Sequence, residues 1–198
     1  MAETAPRTFR CRCCGEEHAG PPLSWAVEAP DGWSSLTPSQ RRSKGDLSSD
    51  QCIIDPDQFF IRGSLELPVV DGAGPFVWDV WVSLSETNFK RASDRWHDPS
   101  RTEEPPYFGW LCNSLPSYPE TLNLKTNVHT RAVGIRPFIE LEPTEHPLAV
   151  EQREGITIDR VIEIAETAMH HNAAFPPERF KGLKRLLARV LGKRSGRT

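Results

Sequence analysis

An α+β domain, a mainly antiparallel sheet with one main covering helix and an N-terminal metal knuckle, is the fold that three features of this 198-residue chain predict. Apolar side chains alternate strictly over two neighbouring segments, an apolar stripe with helical spacing follows near residue 160, and a Cys-x-x-Cys-Gly run opens the chain. In the first segment Phe59, Ile61, Gly63, Leu65, Leu67 and Val69 share one face, while Phe60, Arg62, Ser64, Glu66 and Pro68 share the other. That period of two is a strand's. Asp71-Gly72-Ala73-Gly74-Pro75 turns the chain, and Phe76, Trp78, Val80, Val82 and Leu84 alternate against Val77, Asp79, Trp81, Ser83 and Ser85. The two strands, over 58–70 and 76–84, are expected to form an antiparallel hairpin.

The remaining elements follow from local signals. Thr37-Pro38-Ser39-Gln40 has the cap, first-turn proline and third-position Gln of a capping box, predicting a short helix to about Ser43. Ser85 caps a helix carrying Phe89, Ala92 and Trp96, which His97-Asp98-Pro99 ends. Residues 101–119 are rich in Pro and aromatics and read as irregular, with a short strand over Tyr107 to Leu111. Alternation resumes over 122–131 and a further strand runs from Pro137 to Leu141, completing a sheet region of 122–141 before Glu142-Pro143 and His146-Pro147 break it. From Thr157 as cap, Ile158, Val161, Ile162, Ala165, Ala168 and Met169 trace the face of the main helix, over 157–171.

The totals point to one soluble globular domain: 37% hydrophobic, 26% charged, and a net charge of −3. The charge is unevenly placed. Residues 179–198 hold eight Lys or Arg and no Asp or Glu, leaving 16 basic and 27 acidic residues in 1–178, a body of −11. Residues 1–8 are expected to be flexible, 9–171 to form the domain with its knuckle at 9–22, and 172–198 to form a basic amphipathic extension. In that extension Phe180, Leu183, Leu186, Leu187, Val190 and Leu191 make an apolar stripe after Pro176-Pro177. Opposite charge makes docking on its own acidic body the expected fate of this segment, and the acidic body argues against nucleic acid as a partner. No apolar run approaches the roughly 20 residues of a membrane span, and Met1 to Arg10 lacks the apolar core of a signal peptide, so a cytoplasmic protein is expected.

Chemistry concentrates at Cys11-Arg12-Cys13-Cys14-Gly15-Glu16-Glu17-His18. Two thiols spaced Cys-x-x-Cys, closed by Gly and followed by His, suit Zn²⁺, and a closed structural site needs a fourth donor. Cys52 and Cys112 are the distant thiols that could supply it. Ordinary buried thiols, redox use, and a three-ligand catalytic zinc with an open position are the competing readings. A second candidate is the polar face of the 123–131 strand, where Lys125, His129 and Arg131, with Arg62 from a neighbouring strand, could bind a small anion. A solvated sheet face, with Glu140, Glu142 and Glu145 as cross-strand partners, is the plainer reading of the same residues. No Gly-rich phosphate loop, nucleophile elbow or nucleotide fingerprint is present in the sequence.

Several longer motifs carry a resemblance. Cys11-x-x-Cys14-Gly15-x-x-His18, Phe59-Phe60-Ile61-Arg62-Gly63, Val80-Trp81-Val82-Ser83-Leu84, Leu122-Asn123-Leu124-Lys125-Thr126 and Glu140-Leu141-Glu142-Pro143-Thr144-Glu145-His146-Pro147-Leu148 occur in this order. Together they resemble a bacterial domain-of-unknown-function family, number 2199, over roughly residues 9–171. The resemblance implies bacterial origin, a single domain, and Cys52 as the thiol that joins Cys11, Cys14 and His18. The functional expectation is a binding or interaction module held by structural zinc, with a protein or a small anion as its partner. The alternative is an enzyme, either a zinc-dependent hydrolase or one using the 123–131 face.

Overall fold

The computed structural model describes residues 8–72 and 74–170. It opens with a two-stranded ribbon, β1 (Thr8–Arg10) and β2 (Glu17–Ala19), paired antiparallel with Phe9 opposite His18. Short elements follow: β3 (Ser24–Ala26), α1 (Asp31–Ser34), α2 (Pro38–Lys44), β4 (Gly45–Leu47) and β5 (Gln51–Ile54). The long strands β6 (Gln58–Leu67) and β7 (Phe76–Leu84) form the expected hairpin, in register from Phe59 opposite Leu84 to Leu67 opposite Phe76. After α3 (Glu86–Asp94) and a 3-10 turn at Pro99–Glu103 come β8 (Tyr107–Leu111), β9 (Lys125–His129) and β10 (Phe138–Leu141). Two helices, α4 (Pro147–Glu154) and α5 (Ile158–His170), end the described chain.

The sheet does not stay open beneath one helix. Strands β6 to β10 pair antiparallel in chain order, and β10 then returns to β6 in parallel, Phe138 opposite Ser64, so the five close into a barrel. Closure rests on the backbone of Ser64, whose N–H donates to the Pro137 carbonyl at 2.8 Å, and on Gly63 beside it. A Cβ at Gly63 would lie 2.4 Å from Ile139 Cδ1 and 2.9 Å from the Pro137 carbonyl oxygen. Only a residue without a side chain lets β10 approach β6 so closely.

Alternation sends Ile61, Leu65, Leu67, Phe76, Trp78, Val80, Val82, Leu111, Val128 and Ile139 into one core, where all are fully buried. Helices α4 and α5 extend that core with Leu148, Val161, Ile164, Ala165 and Ala168. Trp81 points the other way. It is also fully buried, because Cys52 and Ile54 of β5, Phe60 of β6, Leu47 of β4, Trp33 of α1 and the connecting residues Val27 and Leu36 form a second cluster with it. Its indole Nε1 donates to the Val27 carbonyl at 3.0 Å.

Local capping follows the sequence signals. Thr37 and Gln40 make the reciprocal capping box, and the Ser85 hydroxyl accepts from the Asn88 N–H. His146-Pro147, read above only as a break, starts α4: the His146 ring accepts from the Leu148 N–H at 3.2 Å and Pro147 occupies the first turn. Proline ends a preceding strand and begins a helix for the same reason, a fixed φ without a donor. The strand expected over 122–131 is shorter, Lys125–His129, because Asn123 takes a positive φ of 63°. The helical pattern over 178–191, and the segment 1–7, lie outside the described residues. No helix among the described residues is long and apolar enough to cross a membrane.

Ser117 is a local conflict between residue and backbone. Its φ is 77°, in the left-handed region, and its buried hydroxyl has no hydrogen-bond partner. Both features disfavour a side chain there. Ser117→Gly is therefore expected to stabilise the fold by about 1 kcal/mol, read as a rise in the denaturant midpoint at unchanged slope. An unchanged or lower midpoint would show that the hydroxyl has a favourable role.

Candidate metal centre

The ribbon β1–β2 and the turn between its strands shape the first half of the site. Gly15, at φ 73°, closes the turn, and its N–H donates to the Cys11 carbonyl at 2.9 Å, while the Cys11 N–H donates to the Glu16 carbonyl at 2.8 Å. The pairing of Phe9 with His18 then returns the His18 imidazole toward the thiols. Cys14 Sγ and His18 Nε2 are 3.2 Å apart.

Helix α5 supplies the second half. His170 places Nε2 3.2 Å from Cys11 Sγ, across a separation of 159 residues. One turn earlier on the same helical face, Glu166 accepts from the Arg12 backbone N–H at 2.6 Å and from Arg12 Nε at 3.0 Å. Arg12 Nη2 also lies 3.5 Å from Glu163. Glu166 is only 5% exposed, so the carboxylate that grips the knuckle is a buried one. Its partner therefore matters, since a buried carboxylate without one is costly.

The donor atoms of Cys11, Cys14, His18 and His170 all lie within 4.8 Å of one another. A tetrahedral zinc with two sulfurs and two nitrogens has donor-to-donor edges of about 3.3 to 3.8 Å, from its usual bond lengths. The two 3.2 Å contacts are already near that edge, and the longer ones must contract by about an ångström around an ion. The residues present fit a metal ion of this kind. Burial opposes ionisation of the Cys11 thiol, but the backbone amides of Cys14 and Cys13 and the Cys14 thiol outweigh it and hold the thiol below its ordinary range. Thiolate is the form that binds metal.

Of the sequence-derived ligands, Cys11, Cys14 and His18 come together and Cys52 does not. Cys52 sits on β5 opposite Phe60, in the second cluster around Trp81. Burial there, reinforced by Asp46, pushes its thiol up to about 12, the state of a packed hydrophobe and not of a ligand. Cys112 packs at the edge of the same cluster, its thiol also raised by burial. The fourth donor in the group is His170, which the sequence reading passed over. A histidine at the end of the α5 stripe, one turn after Glu166, was the available signal.

The four cations proposed for anion binding are each already engaged. Lys125 Nζ lies 3.5 Å from Glu142, His129 Nε2 2.8 Å from Glu140, and Arg131 Nη1 2.7 Å from Glu66. The Arg62 guanidinium lies over the Trp81 ring at 5.7 Å. Glu142 and Glu140, on β10 and its continuation, thus face Lys125 and His129 across the sheet, the cross-strand pairing expected of a solvated sheet face.

The chain matches, over residues 10–156, a family described as uncharacterized proteins conserved in bacteria (DUF2199). It belongs to that family. The matched span contains Cys11, Cys14 and His18, while His170 lies beyond its end. No curated protein and no solved structure matches the chain.

Proposed function

We propose that this protein is a bacterial interaction module of the cytoplasm whose fold is held by one structural zinc ion at Cys11, Cys14, His18 and His170. The observation that carries the reading is the convergence of four protein donors, two thiols and two imidazoles, on one point. Four protein ligands close a tetrahedral ion and leave no position for a substrate or a water, which is the mark of a structural and not a catalytic site. The thiol and imidazole set favours zinc over hard cations that take oxygen ligands. Zinc here would tie the ribbon β1–β2 to α5, fixing both to the barrel. The extension 172–198, opposite in charge to the body, is proposed to rest against that acidic body, so that the partner is met by the barrel surface.

Elemental analysis and X-ray absorption on the purified protein test the proposal. One zinc per chain with a shell of two sulfurs and two nitrogens is expected, and His170→Ala should weaken zinc binding by at least tenfold. Cys52→Ser should retain the zinc. Loss of zinc from the Cys52 variant, or a shell with a bound water in place of the second nitrogen, would overturn the assignment.

A further inference from the structure

The two ligand thiols differ in their surroundings. Cys11 is 1% exposed, covered by His170 and the Glu166–Arg12 contact, whereas Cys14 is exposed to solvent. Their sulfurs lie on one turn, within 4.8 Å of each other. Only Arg12 and Cys13 separate the two residues, and Gly15, at φ 73°, follows Cys14 with nothing within 4 Å of a Cβ placed there, so the turn that carries Cys14 has room to shift as the sulfurs close to a disulfide. Cys52 and Cys112 belong to a separate cluster and cannot compete for either sulfur.

We propose that the centre is an oxidation-sensitive latch: peroxides convert Cys11 and Cys14 to a disulfide, the zinc leaves, and His170 is released from the knuckle. The proposal rests on the zinc reading above and adds a regulation to it. Zinc has no redox chemistry of its own, so the electrons come from sulfur. The exposed Cys14 thiolate attacks one peroxide oxygen, the O–O bond breaks, and the departing hydroxide takes a proton to become water. This leaves a sulfenic acid on Cys14. The Cys11 thiolate attacks that sulfur, the S–O bond breaks, and a second hydroxide leaves as water after taking a proton. For hydrogen peroxide the sum is two thiolates, one peroxide and two protons giving one disulfide and two waters. Zinc stays divalent and loses two of its four donors.

Release acts at a distance because the centre joins residues 11 and 170. With the disulfide closed, the ribbon keeps its Arg12 contacts to Glu166 and Glu163 and the burial of Phe9 in the main core, but loses the shared ion that joined it to His170. Exposed Cys13, whose N–H donates to Cys11 Sγ at 3.3 Å, is a third thiol beside the pair and gives incoming reductant a second point of exchange.

The test uses the full-length zinc-loaded protein, hydrogen peroxide as the probe, and a colorimetric chelator to follow released metal. One zinc per chain should appear together with a mass loss of two hydrogens that peptide mapping places between Cys11 and Cys14. Dithiothreitol with added zinc should restore the metal content. Hydrogen exchange should quicken in 8–19 and 163–170 on oxidation and not in β6 or β7. Cys13→Ser should still release its zinc, since it carries neither ligand. Protein that carries zinc but keeps it at peroxide doses that oxidise Cys14, or that forms its disulfide elsewhere, would overturn the latch and leave the structural zinc standing. Protein purified without zinc would defeat the metal reading itself.

Discussion

Replacing Cys11 with Ser should lower the thermal midpoint by roughly 10 °C, from a loss on the order of 4 kcal/mol. Of the four donors it is the one buried at 1% exposure, and it touches both the knuckle amides and His170. Metal-binding free energy is folding free energy when the unfolded chain holds no site, so losing the ion removes stability directly. The diagnostic comparison is chelator. The native protein should fall toward the variant's midpoint when EDTA is added, and the variant should not move further. Equal sensitivity of both proteins to EDTA would place the metal elsewhere.

Gly63→Val should cost about 3 kcal/mol or more, at or above the upper end of ordinary overpacking. The added carbons meet Ile139 and, more seriously, the Pro137 carbonyl, a backbone atom that cannot rotate away. Relief requires β10 to part from β6, so the loss should be specific: the Ser64 amide, which donates to Pro137, should lose its hydrogen-exchange protection before the β6–β7 amides do. Gly32→Ala, whose Cβ would meet nothing closer than 3.8 Å, serves as the control and should leave stability nearly unchanged. A Gly63 variant with native midpoint and a protected Ser64 amide would refute the closed barrel.

The contrast between what could be read and what could not follows the range of each interaction. Strands β6 and β7 announce themselves because side chains two apart face one core, a pattern contained in ten residues. Closure of the barrel depends on Gly63 meeting Pro137 and Ile139, more than seventy residues away, and no local period encodes that encounter. Strands β3, β4 and β5 have three or four residues each, too few for alternation to be seen. The same division holds at the metal centre. Cys11, Cys14 and His18 are legible as a cluster because one turn and one ribbon bring them together. His170 is not, and preferring a thiol for the last position led to Cys52, which packs around Trp81 instead. On the β9 face, both the basic residues and Glu140 and Glu142 as their cross-strand partners were visible in the sequence, while which residue meets which required the register of β10.

The span from residue 11 to residue 170 also sets an order of assembly on the ribosome. Cys11, Cys14 and His18 leave the exit tunnel early, and His170 follows 159 residues after Cys11. At about 5–20 residues per second, that interval is on the order of 10 to 30 seconds. Throughout it the nascent chain carries three of the four grouped donors, a set that would leave any ion it held open to water and to exchange. Among the described residues the last helix is α5, which supplies His170, so firm retention of a metal would mark the moment at which the described fold has been made.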